Sequence, residues 1–139
     1  MYGGGADIGQ SSGIGADKHL LAGATDDEFS MIFSGARKQL RFIPRWLLLG
    51  RMGLPDPVRR RWLAANRDVK GTAATAGRYV TDRMFRTFIL RLADARGTAP
   101  TWLYRFAWRS AVHRYAVHCI DVPFFFDCLA ADGVRELVG

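Results

Sequence analysis

Residues 18–29, KHLLAGATDDEF, place a short apolar run directly before a glycine and three consecutive acids. The apolar residues at 18–22 predict a buried strand that ends at Gly23, and a short helix over 28–33 follows. Sheets of α/β proteins carry functional groups at the carboxyl ends of their strands, so Glu28 is placed to orient a histidine. The alternative interpretation is that the three acids cap the helix and interact with its dipole.

The rest of the chain is mostly helical, with one further strand. Apolar spacing and helix-capping residues predict three helical segments, over 39–50, 56–67 and 72–96. Residues 101–107 alternate in the way typical of a strand, and a histidine-bearing loop follows. This order predicts an α/β fold. Because two strands make no stable open sheet, we expect the chain to be part of a larger sheet or to need a partner at its edges.

Composition and charge indicate a packed domain without a membrane-spanning segment. The chain has 139 residues, of which 49% are hydrophobic, enough for one packed domain, and it has no apolar run long enough to span a membrane. The formal charge is +7, with the basic residues concentrated over 37–67. That stretch is either an anion-binding patch or a solvated helix face. Arg59, Arg60 and Arg61 fan around a helical turn, and no nucleic-acid motif accompanies them, so no nucleic-acid partner is expected.

The cysteines and the N-terminus indicate the cellular compartment in which the protein is expected. Cys119 and Cys128 are nine positions apart, without metal-site spacing, and are predicted to be free thiols in a reducing compartment. No signal peptide is evident at the N-terminus, so a cytoplasmic location is expected, although a signal encoded upstream would lie outside this sequence. No motif predicts a cofactor or a metal site.

His118 is the histidine whose setting fits general acid–base chemistry, because it lies on a loop after a strand. The alternative is an ordinary core or surface histidine, an interpretation that applies more strongly to His19, within the first strand, and to His113. Gly9–Gly13 formally matches the nucleophile elbow Gly-x-Ser-x-Gly, but its flanks form neither an apolar strand nor a good helix. Ser11 also precedes Glu28 by only 17 residues. We therefore do not expect Ser11 to be a nucleophile.

Taken in order, four motifs resemble the type-B carboxylesterase/lipase family, which includes the cholinesterases and bacterial para-nitrobenzyl-type esterases. HLLAGATDDEF at 19–29 resembles the family's apolar strand and Gly-x-x-x-Asp-Glu-Gly acid turn. The resemblance assigns the triad acid to Glu28, and Phe29 stands where many members have glycine. TDRMF at 81–85 resembles an Asp-x-x-Phe segment on the family's long helix, with Asp82 in a structural role.

The other two motifs lie near the C-terminus. TWLYRFAW at 101–108 is similar to the family's Tyr-x-Tyr-x-Phe strand, and HCIDVPFFF at 118–126 is similar to His-x-x-Glu-Leu-Pro-Phe-x-Phe. The resemblance assigns the triad histidine to His118, with Asp121 in place of the usual glutamate. The two triad positions are 90 residues apart in the chain.

The resemblance implies a partial α/β-hydrolase fold over 18–139, the C-terminal portion of the sheet with helical insertions, after a Gly-rich loop or frayed N-terminus at 1–17. It implies hydrolysis of apolar carboxylic esters, with residues 42–49 either lining the ester pocket or packing in the core. The family's serine elbow and oxyanion loop have no counterpart here. We therefore expect the isolated chain to be inactive, with a separate N-terminal segment as a partner in trans. The alternative is a non-catalytic module that binds an acidic partner through 37–67.

Overall fold

The two predicted strands pair with each other in parallel. The computed structural model describes residue 15 and residues 17–139, so Ser11 and nearly all of the predicted N-terminal loop lie outside the described residues. Strand β1 (Leu20–Thr25) lies beside β2 (Thr101–Phe106). With its many helices this pair makes a mixed α/β fold, as the order of elements predicted. Within the described residues each strand keeps one unpaired edge.

Gly23 lies within β1 and does not end it, contrary to the prediction. The strand continues to Thr25, and the backbone N–H of Asp26 then donates to the carbonyl of Phe106. A Cβ at position 23 would lie 2.5 Å from the Tyr104 ring, so glycine is required here for the close approach of a neighbouring side chain. His19 precedes the strand and is exposed, against its expected place inside the strand.

The helices follow the predicted order with different boundaries. They are α1 (Ser30–Ser34), α2 (Arg37–Leu40), α3 (Arg45–Arg51), α4 (Asp56–Ala65), α5 (Thr72–Thr81), α6 (Thr87–Ala95), α7 (Val122–Phe125) and α8 (Val134–Val138). The helix predicted over 39–50 is divided because Pro44, with φ −58° and ψ 136°, caps the start of α3. The prediction that Asp56 caps α4 is wrong: Pro55 occupies the N-cap position, and the Asp56 carboxylate instead bonds Arg59 and Arg60.

A π-helical turn over Asp82–Arg86 joins α5 to α6, so the long helix predicted over 72–96 is continuous but locally widened. Turns of this kind frequently occur at functional sites. The widened turn contacts β1, and it brings Phe85 and Arg86 against the residues that follow that strand. Gly97, with φ +56°, ends the helix as predicted.

Helix α5 is the most buried helix and packs against α1, α2 and α3. Small residues on its buried face, including Ala73, Ala76 and Gly77, allow this close packing. A Cβ at position 77 would lie 2.6 Å from the Cα of Ser30, so α1 contacts α5 through backbone atoms. Because α1 follows the acid turn directly, this contact helps to fix the turn. No helix among residues 17–139 has the length and apolarity needed to cross a membrane.

Gly77→Ala is expected to lower the free energy of unfolding by about 2 kcal/mol, because the added methyl group must push the backbone of α1 away from α5. Chemical denaturation of both proteins measures the difference. Gly35→Ala is the matched control: nothing lies within 4 Å of its added Cβ, and its φ of −65° suits alanine. That variant should be neutral or slightly stabilised. Equal losses in the two variants would contradict the close-packing argument.

Candidate active site

Glu28 and His118, 90 residues apart in the chain, are hydrogen-bonded through Glu28 Oε2 and His118 Nδ1 at 2.6 Å. Glu28 lies in the turn after the carboxyl end of β1, and His118 lies in the loop after β2. The two strands are parallel neighbours, so both segments emerge at the same edge of the sheet. The structure thus brings together the two residues that the sequence singled out.

Glu28 is held in place on both carboxylate oxygens. The side chain is buried, with only 4% of the residue exposed, and Oε1 accepts a hydrogen bond of 2.8 Å from the backbone N–H of Thr25. With Oε1 occupied in this way, Oε2 faces the histidine. An ionised carboxylate only accepts hydrogen bonds, so Nδ1 of His118 is the donor, and in the neutral imidazole Nε2 is then the unprotonated nitrogen.

The imidazole of His118 is partly enclosed but accessible. Phe29 stacks on the ring with centroids 5.8 Å apart and planes at 25°, and Phe85 packs at 5.6 Å. The His118 side chain is 47% exposed to solvent, and no described residue bonds to Nε2. Its basic nitrogen is therefore available to a reactant from solvent or to a group that the described residues do not supply.

Phe29 occupies the position where the resemblance leads one to expect glycine. Its φ is −124°, which an L-residue adopts without strain, so the turn does not require glycine. The phenylalanine ring is used to orient the imidazole, together with Phe85 from the π-helical turn. The sequence contains both residues, but their convergence depends on the widened turn, for which the apolar spacing gave no signal.

The loop that carries His118 is fixed to the acid turn through its backbone. The N–H of Asp27 donates to the carbonyl of Ala116 at 3.0 Å, and the flanking Ala116, Val117 and Ile120 are buried. Cys119 has φ +62°, an unusual conformation for a residue other than glycine. This backbone geometry places His118 at the surface between buried neighbours.

Asp26 is bound by three arginines and does not cap α1. Arg105 donates to both of its carboxylate oxygens, Arg86 donates to Oδ1 at 2.8 Å, and Arg78 lies 4.0 Å from Oδ2. Burial acts to raise the pKa of the Asp26 carboxyl, but the hydrogen bond from Arg105 and the three positive charges outweigh it, so the pKa is lowered. The interpretation of these acids as helix caps is therefore wrong, since α1 has no side-chain cap.

Asp121, which stands where the resemblance has glutamate, accepts a hydrogen bond of 2.7 Å from the hydroxyl of Tyr104. Burial, followed by this bond, raises the pKa of Tyr104 to about 12, so the phenol stays protonated as the donor. The bond ties the strand β2 to the histidine loop.

Among the described residues, no serine hydroxyl bonds to His118. The three described serines bond elsewhere: Ser30 to Asp27, Ser34 to the carbonyl of Met31, and Ser110 to the backbone N–H groups of residues 112 and 113. Cys119 is the adjacent thiol, but burial and the carboxylates of Asp121 and Glu28 raise its pKa, which disfavours the thiolate. Cys119 and Cys128 are both free thiols, as predicted.

The other residues that the sequence singled out, Asp82 and those at 42–49, make contacts that stabilise the fold or lie at its surface. Asp82 accepts a hydrogen bond of 2.8 Å from Trp62, in line with its predicted structural role. Within 42–49, Leu49 is buried in the core, whereas Trp46 is exposed beneath the guanidinium of Arg59.

Arginines of the basic stretch 37–67 are largely engaged within the fold. Arg45 donates to the carbonyl of Val69, Arg59 to Trp46 and Asp56, and Arg67 to Ala64. These contacts give most of these arginines partners within the fold, so the stretch as a whole is not a free anion-binding patch.

A comparison with known protein families finds no family model that matches the chain. The geometry of Glu28 and His118 therefore carries the functional argument.

Proposed function

We propose that this chain contributes the acid and the histidine of a serine carboxylesterase site, in a partial α/β-hydrolase fold of the type-B carboxylesterase kind. The observation that carries the proposal is the bond from His118 Nδ1 to the buried Glu28, with Nε2 left open. The two residues follow the carboxyl ends of neighbouring parallel strands. Such a pair lacks only a nucleophile and an oxyanion site to complete an acyl-transfer centre.

In this proposal the nucleophilic serine comes from a separate N-terminal segment. Nε2 of His118 takes the serine proton as the serine oxygen attacks the carbonyl carbon of the ester, and the imidazolium then gives that proton to the departing alcohol. Water hydrolyses the acyl-serine by the same proton transfers. Glu28 stabilises the imidazolium and keeps its ring oriented.

The open sheet edges support a partner that adds strands. Two strands alone do not make a stable sheet, and Leu21, Trp102 and Leu103 on the two strands remain about half exposed. A segment that paired with these edges and packed on the faces of the sheet would bury such side chains and bring the serine elbow and oxyanion donors to His118. The proposed substrates are apolar carboxylic esters.

The 139-residue chain alone is expected to hydrolyse para-nitrophenyl acetate no faster than buffer, because no serine hydroxyl among its described residues bonds to His118. Co-expression with the polypeptide encoded directly upstream should produce turnover, and that polypeptide should contain Gly-x-Ser-x-Gly after an apolar strand. His118→Ala should then reduce the rate by about 10⁴-fold or more.

His113→Ala is the matched control, because His113 lies in the same loop as His118 and only its backbone N–H bonds Ser110. This variant should keep the full rate of the complemented enzyme. Turnover that survives His118→Ala, or an upstream polypeptide without a serine elbow, would contradict the proposed function.

A further inference from the structure

A basic cavity is lined by Asp27 of the acid turn, and neither Glu28 nor His118 is part of its lining. Its volume is about 200 Å³. Five cationic side chains line it: Arg37, Lys70, Arg78, Arg109 and Arg114. Two carboxylates, Asp27 and Asp68, also line it, so the cavity has a net formal charge of +3. A concave site with this excess of charge attracts anions.

Arg78 gives the cavity a built donor. Its side chain keeps only 9% of its exposure, and its Nε–H has no hydrogen-bond partner among the described residues. Its Nη2 lies 3.7 Å from Asp27 and 4.0 Å from Asp26, within ion-pair range but beyond hydrogen-bond distance. A buried donor without a partner costs about 1–3 kcal/mol, so a small rearrangement of Arg78 that turns this N–H toward an oxyanion in the cavity would be favoured.

The other cations retain donors for a ligand. The guanidinium groups of Arg109 and Arg114 bond to no described residue, and both residues are exposed at the cavity wall. Arg37 donates to the hydroxyl of Tyr115 at 3.2 Å, which leaves that hydroxyl free to donate its own proton. The cavity therefore offers several charged donors around one space.

A second cavity, adjacent to the first, lies at the N-terminus of α5. It shares Arg37 and Lys70 with the first and is lined by Gly71 and Thr72 at the start of the ten-residue helix. The backbone N–H groups and the helix dipole add positive potential at this end. Because the two cavities share Arg37, Lys70 and Ala74, they are adjacent, and together they are called the basic groove.

From these features we infer that the groove binds a phosphoryl group, as inorganic phosphate or at the end of a small phosphate monoester, with Arg78 and Arg109 as donors. A phosphate carries about two negative charges near neutral pH, which suits the net charge of the cavity better than a carboxylate does. Guanidinium groups match its geometry with paired N–H donors. This site is independent of the proposed esterase role.

Isothermal titration of the 139-residue chain with inorganic phosphate, at constant ionic strength, tests the inference. We expect saturable binding with a Kd of about 1 mM or tighter. Arg109→Gln should weaken binding by about tenfold, because it removes a charge-assisted hydrogen bond. Arg78→Lys keeps the charge but removes the buried Nε donor, and it should weaken binding to a similar extent. Arg61→Gln, which removes an exposed arginine outside both cavities, is the matched control and should bind as the parent does.

Parallel titrations separate the sources of the ligand. Glycerol phosphate that binds tighter than inorganic phosphate would assign the site to a phosphate monoester, whereas equal or weaker binding would assign it to the free ion. The inference is overturned by the absence of saturable phosphate binding, by acetate binding as tightly as phosphate, or by equal losses in Arg109→Gln and Arg61→Gln.

Discussion

Glu28→Gln is expected to reverse the tautomer of His118 and, in the complemented enzyme, to lower the esterase rate by about 10⁴-fold. The reason lies in the two bonds of the native carboxylate. The Thr25 N–H donates to Oε1 and requires an acceptor there, so the glutamine oxygen will occupy that position. The glutamine NH₂ then faces His118 Nδ1, which becomes an acceptor, and the proton moves to Nε2. A protonated Nε2 cannot take a proton from a serine.

The tautomer can be measured on the chain alone, without a nucleophile or a substrate. The ¹⁵N shifts of the imidazole distinguish protonated from unprotonated nitrogens, and they should show Nδ1 protonated in the parent and Nε2 protonated in Glu28→Gln. Glu136→Gln changes an exposed glutamate in α8 and should leave the His118 spectrum unaltered. If Glu28→Gln left Nδ1 protonated, the carboxylate would not be the group that sets the tautomer, and its assigned role would fail.

The sequence predicted the main elements of this pair because local patterns determine them. An apolar run before the acids predicted β1, and the alternation over 101–107 predicted β2. Parallel pairing of the two strands then brings the following segments to one edge, which is why Glu28 and His118 meet. Their catalytic role remains a proposal that rests on this geometry and on the resemblance.

What the sequence did not predict depends on contacts between distant segments. Gly23 had the pattern of a strand end, but its function is to accept the ring of Tyr104 from β2. Phe29 and Phe85 enclose His118 only because a π-helical turn rotates one part of the long helix. Periodicity reports which face of a helix is apolar, whereas these contacts require the relative positions of three elements.

The acids at 26 and 27 show the same limit. Consecutive acids before a helix most often cap it, and nothing local distinguishes that case from a buried charge cluster. The hydrogen-bond partners of the Asp26 side chain are Arg86 and Arg105, 60 and 79 residues away in the chain. The basic groove was not predicted for a similar reason, because its cationic residues are spread over 37–114 and converge only in the fold.

Asp26→Asn is expected to destabilise the chain by about 3 kcal/mol near neutral pH, because it leaves the arginines around a buried position without their counter-charge. This loss of unfolding free energy is at the lower end of the range for a broken buried ion pair. The reason is that the Arg105 side chain is 65% exposed, so water can solvate it in the variant. The variant also loses the bidentate bonds that tie β2 to the turn after β1.

Urea denaturation gives the free energy of unfolding, and Asp56→Asn is the matched control. Asp56 also bonds two arginines, but it is exposed, so its loss should change the stability little.

The dependence on pH identifies charge as the cause. The pKa of Asp26 in the folded chain is lowered from its ordinary value of 3.8, so its contribution to stability is fully present above about pH 4. It is lost as the pH falls through the folded-state value, because protonation removes the charge that the arginines bind. The difference in unfolding free energy between the parent and Asp26→Asn should therefore stay constant from pH 7 to about pH 4 and shrink below it. A difference that stays constant below pH 4 would mean that the asparagine acts through packing, and the arginine cluster would then not be what holds the acid turn beside His118.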